Sequence, residues 1–156
     1  MVVQDESAIL WIDDDQDVLH SAERMVRARG WRFCGVGDAD SAAVQLKTEK
    51  FSVVVADYRL KMTSGLDFLE HCRNEFPSVT RVLVTGLLEV ELLERAVNRA
   101  SVFRFIAKPW EQNQVCFELE KAIEHHRLQL SQNVLKKEVS TQNRRLEELT
   151  SGLESL

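Results

Sequence analysis

The stretch Phe51-Ser52-Val53-Val54-Val55-Ala56-Asp57 decides the fold of this 156-residue chain. Its three consecutive valines are apolar without alternation, as expected for a strand that is buried on both faces of a parallel sheet. Similar runs alternate with helical patterns, and the predicted strands are Ala8–Ile12, Arg32–Val36, Ser52–Ala56, Arg81–Val84 and Val102–Phe105. The alternation predicts an α/β fold with a doubly wound, five-stranded parallel sheet.

Helical patterns fill the intervals between these strands. Gln16–Arg29 repeats its apolar residues every three or four positions and stops at Gly30, a residue type that commonly ends helices. The next three predicted helices are about Ala39–Glu49, Leu66–Glu75 and about Glu89–Arg99. Because the site of such a sheet lies at the carboxyl ends of its strands, the residues that follow each strand are the candidate functional residues.

A fifth helix starts after Pro109, and no proline or glycine interrupts the sequence from Glu111 to Ser151. Its apolar residues repeat in heptads. One position holds Leu128, Leu135, Leu149 and Leu156, the other holds Val139, Leu146 and Leu153, and the gaps are filled by Gln132 and Gln142. This pattern predicts a coiled coil, with an amphipathic helix that folds back on the domain as the alternative. We divide the chain into a domain at residues 1–125 and a helical extension at 126–156 that leads to a further domain.

Composition argues against several classes of function. The formal net charge is -5 without a basic stripe, so direct binding to nucleic acid is not expected. No apolar run approaches the roughly 20 residues of a membrane span, and the widely spaced cysteines indicate packed thiols rather than disulfides or a zinc site. His125 and His126 lack a kinase-type motif, so we expect solvated side chains there. We predict a cytoplasmic protein.

Charged and hydroxyl side chains follow four of the predicted strands. Asp13–Asp15 follow the first strand, Asp57 the third, Thr85 the fourth, and Lys108 the fifth. Each has a simple structural explanation, such as helix capping for an aspartate or solvation for a lysine. Three adjacent carboxylates repel each other unless a cation neutralises them, and a few hard oxygen ligands suit Mg²⁺. The simple explanations do not account for four strand ends that all carry groups able to act on a phosphate.

These strand ends resemble those of the receiver domain of two-component response regulators. The matching segments are Leu10-Trp11-Ile12-Asp13-Asp14-Asp15, Val54-Val55-Ala56-Asp57 with Gly65-Leu66, Val84-Thr85-Gly86, and Phe105-Ile106-Ala107-Lys108-Pro109-Trp110. The resemblance covers about Ser7 to His125 and implies a flavodoxin-like receiver fold. The chain would then be a signalling protein that catalyses only its own phosphorylation and dephosphorylation.

The resemblance also assigns the reacting groups. Asp57 would be the phosphoacceptor, and a sensor histidine kinase would be the donor. Asp13, Asp14 and Asp57, together with the backbone carbonyl of Arg59, would hold Mg²⁺. A carboxylate that attacks an anionic phosphoryl group needs nearby positive charge, which agrees with this assignment on physical grounds.

Switching is implied in the same way. Thr85 and Lys108 would contact the phosphoryl oxygens, and Phe105 would be an aromatic switch that moves with Thr85. The face between the fourth and fifth helices would then change, and a homodimer would form through that face, through the C-terminal helix, or through both. The family has a cis peptide bond at the position of Lys108-Pro109, although an X-Pro bond is trans by default.

Two residues, one after the acceptor and one after the threonine, predict a long phosphate lifetime. In this family the positions two residues after the acceptor and two after the threonine flank the path of hydrolytic water. Here they are Arg59 and Leu87, which are bulky and carry neither a carboxylate nor an amide to orient water. We expect slow autodephosphorylation.

Two other functions remain open at this point. Phosphatases of the haloacid dehalogenase type also begin with a strand and an Asp-x-Asp pair, here Asp13 and Asp15. They expect a further acidic pair near the end of the domain, which this sequence does not show, and they leave Asp57 unexplained. A receiver-like scaffold that dimerises without phosphorylation is the second alternative. The intact set of acids, threonine and lysine argues against it.

Overall fold

A computed structural model describes residues 7–154, where five strands alternate with five helices. The strands are β1 (Ala8–Ile12), β2 (Arg32–Val36), β3 (Val53–Asp57), β4 (Thr80–Thr85) and β5 (Arg104–Ala107). The helices are α1 (Gln16–Ala28), α2 (Ala39–Thr48), α3 (Gly65–Glu75), α4 (Val90–Ala100) and α5 (Gln112–Glu154). The strands form one parallel sheet in the order β2-β1-β3-β4-β5, which confirms the predicted fold class.

The central strand explains why its sequence shows no alternation. Val53 and Val55 pack into the core on the side of α1 and α5, whereas Val54 and Ala56 pack into the core on the side of α2, α3 and α4. All four residues are 0% exposed, so both faces of β3 require apolar side chains.

The predicted bounds of the last strand were wrong by two residues. Ser101 adopts a left-handed conformation with φ of 48° and ends α4, and the N–H of Val102 bonds back to the carbonyl of Ala96 at 3.2 Å. Val102 therefore belongs to the turn, despite its apolar side chain. The strand begins only at Arg104 and runs to Ala107.

Three helices on the two faces begin with a side-chain cap. Asp15, Asp38 and Ser64 accept hydrogen bonds from the backbone N–H groups two or three residues further on, at 2.7–3.0 Å. These bonds satisfy N–H groups that would otherwise lack a partner in the first turn. Capping therefore accounts for Asp15, the third aspartate of the Asp13–Asp15 run.

The chain divides into two units, and the boundary along the sequence falls between His126 and Arg127. From Arg127 onwards the chain continues as helix, and Leu128, Leu135 and Leu149 are between 58% and 66% exposed. The predicted seam residue Leu156 and the side chain of Leu153 lie outside the described residues. None of the helices in residues 7–154 combines the length and the apolar character that a membrane span requires.

The prediction that His125 and His126 are solvated was wrong, because both residues are half-buried. The imidazole of His125 stacks on the ring of Phe103, with centroids 4.0 Å apart and an interplanar angle of 10°. His126 Nδ1 donates to the backbone carbonyl of Ser78 at 2.7 Å. Both contacts tie the first part of α5 to loops at the amino ends of the strands.

The half-buried stack of His125 on Phe103 predicts a pH-dependent stability. Burial, followed by the positive charges of Arg81 and His126, lowers the pKa of His125. Below pH of about 6.5 the unfolded chain therefore binds more protons than the folded chain, so the free energy of unfolding falls as the pH falls. We expect His125→Phe, which keeps a stacked ring, to lose part of this decrease between pH 7.5 and 5.5 in urea titrations.

The matched control for this measurement is His71→Phe, at an exposed position on α3. The control should keep the full decrease of the free energy of unfolding. An identical pH dependence in His125→Phe and wild type would contradict the assignment to the stack.

Candidate phosphoryl-transfer site

The predicted site residues come together at the carboxyl edge of the sheet. Asp13 directly follows β1, Asp57 ends β3, Thr85 ends β4, and Lys108 directly follows β5. Because β1, β3, β4 and β5 are consecutive neighbours in the sheet, side chains that are far apart in sequence become adjacent. All four are largely buried or half-buried.

The ammonium of Lys108 joins the two buried carboxylates. Lys108 Nζ lies 3.1 Å from Asp13 Oδ2 and 3.0 Å from Asp57 Oδ1. Asp13 is 1% exposed and Asp57 is 7% exposed. Burial raises the pKa of Asp57, with smaller contributions from the charges of Asp13 and Asp14, while Lys108 opposes the rise. Burial alone would lower the pKa of Lys108, but the two carboxylates raise it.

The oxygen donors at this edge fit a magnesium ion. Asp13 and Asp57 are brought together by Lys108, and the half-exposed Asp14 is adjacent to Asp13 in the chain. In residues 7–154 no three acidic, histidine or cysteine side chains are grouped closely enough to form a metal site by themselves. Mg²⁺ takes few protein ligands and keeps several waters, so the neighbouring carboxylates of Asp13 and Asp57 suit it, and Asp14 and the backbone carbonyl of Arg59 stay predicted as its further ligands.

Gly65 has a structural role that sequence reasoning missed. A Cβ atom built on Gly65 would overlap the backbone carbonyl of Asp57. The Gly65 N–H donates to the carbonyl of Tyr58 at 2.9 Å, and α3 begins at Gly65. The eight-residue spacing from Asp57 was the signal for this packing, but the spacing alone cannot show that two backbone segments touch.

The hydroxyl of Thr85 is held by a neighbouring backbone group. Its Oγ1 accepts a hydrogen bond from the N–H of Leu87 at 3.0 Å. An open cavity of about 320 Å³ lies here, and the residues that line it include Asp57, Arg59, Thr85, Leu87 and Lys108. The cavity thus contains the predicted acceptor together with both residues that were predicted to tune phosphate lifetime.

The loop that carries Lys108 contacts both β4 and β1. The Lys108 N–H donates to the carbonyl of Thr85 at 3.1 Å, and the Lys108-Pro109 peptide bond is cis. Trp110 then packs edge-on against the buried ring of Trp11, with centroids 5.4 Å apart. Phe105 lies half-buried in β5 against the core on the side of α4.

Comparisons with known proteins agree with this geometry. The family model of the response regulator receiver domain matches residues 9–120, and the chain belongs to this family. The chain is 27% identical to the hydrogenase transcriptional regulatory protein HoxA of Cupriavidus necator over 139 residues, which are 89% of this chain and 29% of HoxA.

Solved structures show the same fold. The structure described as adenylate cyclase from Rhodopirellula baltica has a TM-score of 0.79 and 25% identity, and the match covers 85% of this chain and 98% of that chain. The signal receiver domain of an HD domain-containing protein from Pseudomonas fluorescens Pf-5 has a TM-score of 0.77 and 24% identity, with 84% and 96% coverage. The chain is therefore a receiver domain with a helical extension, and it spans less than a third of the length of HoxA.

Proposed function

We propose that this receiver accepts a phosphoryl group on Asp57 from a sensor histidine kinase, in the presence of Mg²⁺. The observation that carries the proposal is the position of Lys108 Nζ, 3.0 Å from Asp57 and 3.1 Å from Asp13, beside an open cavity. A buried carboxylate that is accessible from a cavity and lies next to an ammonium suits attack on an anionic phosphorus.

The chemistry follows from the charges at the site. A carboxylate oxygen of Asp57 attacks phosphorus, the phosphorus–nitrogen bond to the kinase histidine breaks, and an acyl phosphate forms while the imidazole leaves with its electron pair. Lys108 offsets the repulsion between the carboxylate and the phosphoryl oxygens as a point charge. Asp13, Asp14, Asp57 and the carbonyl of Arg59 would hold Mg²⁺, which supplies further positive charge to these oxygens when bound.

The proposed switch starts at Thr85. Its hydroxyl is bonded to the N–H of Leu87, and reorientation toward a phosphoryl group on Asp57 would break that bond. Phe105 would then move into the space that Thr85 leaves. Movement of this kind would alter the face formed by α4 and α5, where Val97 and Phe117 are about half exposed. A change of this face, and pairing of two copies through it or through the C-terminal helix, is the proposed output.

The residue that becomes phosphorylated distinguishes the receiver from the phosphatase and from the scaffold. The protein is incubated with a small acyl phosphate and Mg²⁺, the acyl phosphate is trapped by borohydride reduction, and the modified residue is mapped by mass spectrometry. We expect modification of Asp57. Modification of Asp13 would instead support the phosphatase, and the absence of any modification would support the scaffold.

Leu87 provides a test of phosphate lifetime. Its side chain is 38% exposed at the cavity that contains Asp57, and it offers no group that orients water. We expect Leu87→Ala to shorten the half-life of the acyl phosphate by a few-fold, because water gains access to the phosphorus. The measurement is the decay of the phosphorylated protein after removal of the donor.

Val90→Ala serves as the control for Leu87→Ala, because Val90 is an exposed apolar residue in α4 outside the residues that line the cavity. Its phosphate should decay as in the wild type. A wild-type half-life no longer than that of Leu87→Ala would contradict the proposal. Cytoplasmic location and the lack of direct nucleic-acid binding stay predictions from composition.

A further inference from the structure

The helix beyond Arg127 presents a row of exposed apolar side chains. Leu128, Leu135, Val139, Leu146 and Leu149 are between 54% and 66% exposed. Their spacing of three, four and seven residues places them on one side of the helix. Leucines and a valine that repeat along one side form an apolar stripe of the kind that marks an interaction surface.

A partner would stabilise this part of the helix. Most of the stability of helices in proteins comes from packing of an apolar face against other elements rather than from helix propensity. The hydroxyls of Thr141 and Thr150 bond to the carbonyls four residues before them, at 2.9 Å, an arrangement that slightly weakens a helix. Removing leucine and valine side chains from water is favourable, so covering the stripe would stabilise the helix.

We propose that a second copy of this chain covers the stripe, in a parallel, in-register, two-stranded coiled coil. The two glutamines in the apolar row decide the orientation. In this arrangement Gln132 meets Gln132 of the other copy, and Gln142 meets Gln142. Each amide carries both donors and acceptors, so the glutamines can bond to each other within the seam.

The antiparallel arrangement that aligns Leu135 with Leu146 separates the glutamines. Gln132 then faces Leu149, and Gln142 faces Val139, so four amides per dimer lie against apolar side chains. A buried polar group that loses its hydrogen-bond partner bears its full cost of desolvation.

Charge favours this antiparallel arrangement, but the gain is smaller than the loss at the glutamine amides. It brings Glu138 beside Arg145 of the other copy twice per dimer. An exposed ion pair of this kind contributes little to stability, because solvent screens it and two long side chains must be ordered. The loss at four amides therefore exceeds the gain from two ion pairs, and the parallel arrangement is favoured.

A second antiparallel register, in which Gln132 faces Gln142, is disfavoured by charge. It sets Glu138 against Glu138 of the other copy and Lys136 against Lys136. It also leaves Leu149 opposite His125 instead of another seam leucine. The parallel arrangement avoids these like-charge contacts, because its flanking positions pair Glu138 with Asn143 and Lys136 with Ser131.

Single-cysteine variants of the full chain test the orientation. The native Cys34, Cys72 and Cys116, which are free thiols, are replaced by alanine, and circular dichroism checks that the background folds. Leu135→Cys or Leu149→Cys is then added, and the protein is oxidised mildly before any phosphoryl donor is present. We expect each variant to form a disulfide-linked dimer by itself, whereas Lys137→Cys, on the outer side of the helix, should not.

The other arrangements give different cross-links. The parallel orientation would be overturned if neither single variant cross-links by itself and a mixture does. A mixture of Leu135→Cys and Leu146→Cys reports the first antiparallel register, and a mixture of Leu135→Cys and Val139→Cys reports the second. A wild-type molar mass of 17.9 kDa by light scattering, at tens of micromolar protein, would overturn self-association. Because no donor is present, these results are independent of phosphorylation.

A glutamine variant tests the physical argument itself. If the amides set the orientation, Gln132→Leu combined with Gln142→Leu should stabilise the dimer but relax its specificity. Cross-links between Leu135→Cys and Leu146→Cys would then appear beside the self-cross-link at position 135. An unchanged cross-linking pattern would contradict the role of the glutamines.

Discussion

Asp57→Asn is expected to abolish formation of the acyl phosphate while the protein stays folded. The substitution keeps the shape of the side chain but replaces the carboxylate with an amide, whose uncharged oxygen is too weak a nucleophile to attack phosphorus. The measurement is the mass of the protein after incubation with a small acyl phosphate and Mg²⁺. We expect the wild type to gain one phosphoryl group and the variant to gain none.

The same substitution is expected to raise the midpoint of thermal unfolding in buffer without Mg²⁺. Asp57 is 7% exposed, and its pKa is raised mainly by burial despite the ion pair with Lys108. A carboxyl group with a folded-state pKa above that of the unfolded chain lowers stability once it ionises at neutral pH. The neutral amide removes this penalty, so the acceptor is a site where function opposes stability.

Asp40→Asn is the matched control, because Asp40 is an exposed carboxylate on α2. It should be phosphorylated as the wild type is and should unfold at nearly the same temperature. Full phosphorylation of Asp57→Asn would refute Asp57 as the acceptor. A lower midpoint of unfolding than in the wild type would show that the ion pair with Lys108 outweighs the burial of the charge.

Gly65→Ala is expected to damage both stability and the site. The added methyl group would overlap the backbone carbonyl of Asp57, and backbone cannot move aside as a flexible side chain can. Overpacking in a dense region lowers the free energy of unfolding by roughly 1–3 kcal/mol. The displacement acts directly on the residue that is proposed to be phosphorylated, so the rate of acyl-phosphate formation should also fall.

Gly152→Ala separates this effect from the general consequence of adding a methyl group. Gly152 lies in the C-terminal helix, and a Cβ there meets no atom within 4 Å. Alanine at such a position should stabilise the helix by about 0.5–1 kcal/mol. Urea titrations and phosphorylation rates of both variants are compared with the wild type. Equal stability of Gly65→Ala and the wild type would contradict the close packing against Asp57.

The pattern of apolar runs predicted the architecture because hydrophobic periodicity is a local property. The three valines of β3 indicated a strand with two buried faces, and the structure places their side chains alternately in two cores. The predicted position of β5 was wrong because Ser101 and Val102 form a turn held by a bond to Ala96. Periodicity carries no information about such a bond.

The site residues were predictable as a set, because parallel strands bring their carboxyl ends to one edge. Asp13, Asp57, Thr85 and Lys108 could thus be grouped before their distances were known. The capping role of Asp15 and the partial burial of His125 could not be predicted from the sequence. Each depends on the path of a neighbouring segment rather than on the residue type.

The sequence by itself determined the order of strands and helices and which chemical groups stand at the strand ends, since both follow from local patterns. Only the tertiary structure decided that Lys108 bridges Asp13 and Asp57 at about 3 Å. It also decided that Gly65 must lack a side chain and that Thr85 is held by Leu87. These are contacts between segments far apart in the chain or between a side chain and a turn, and their geometry is fixed only when the sheet and its loops pack together.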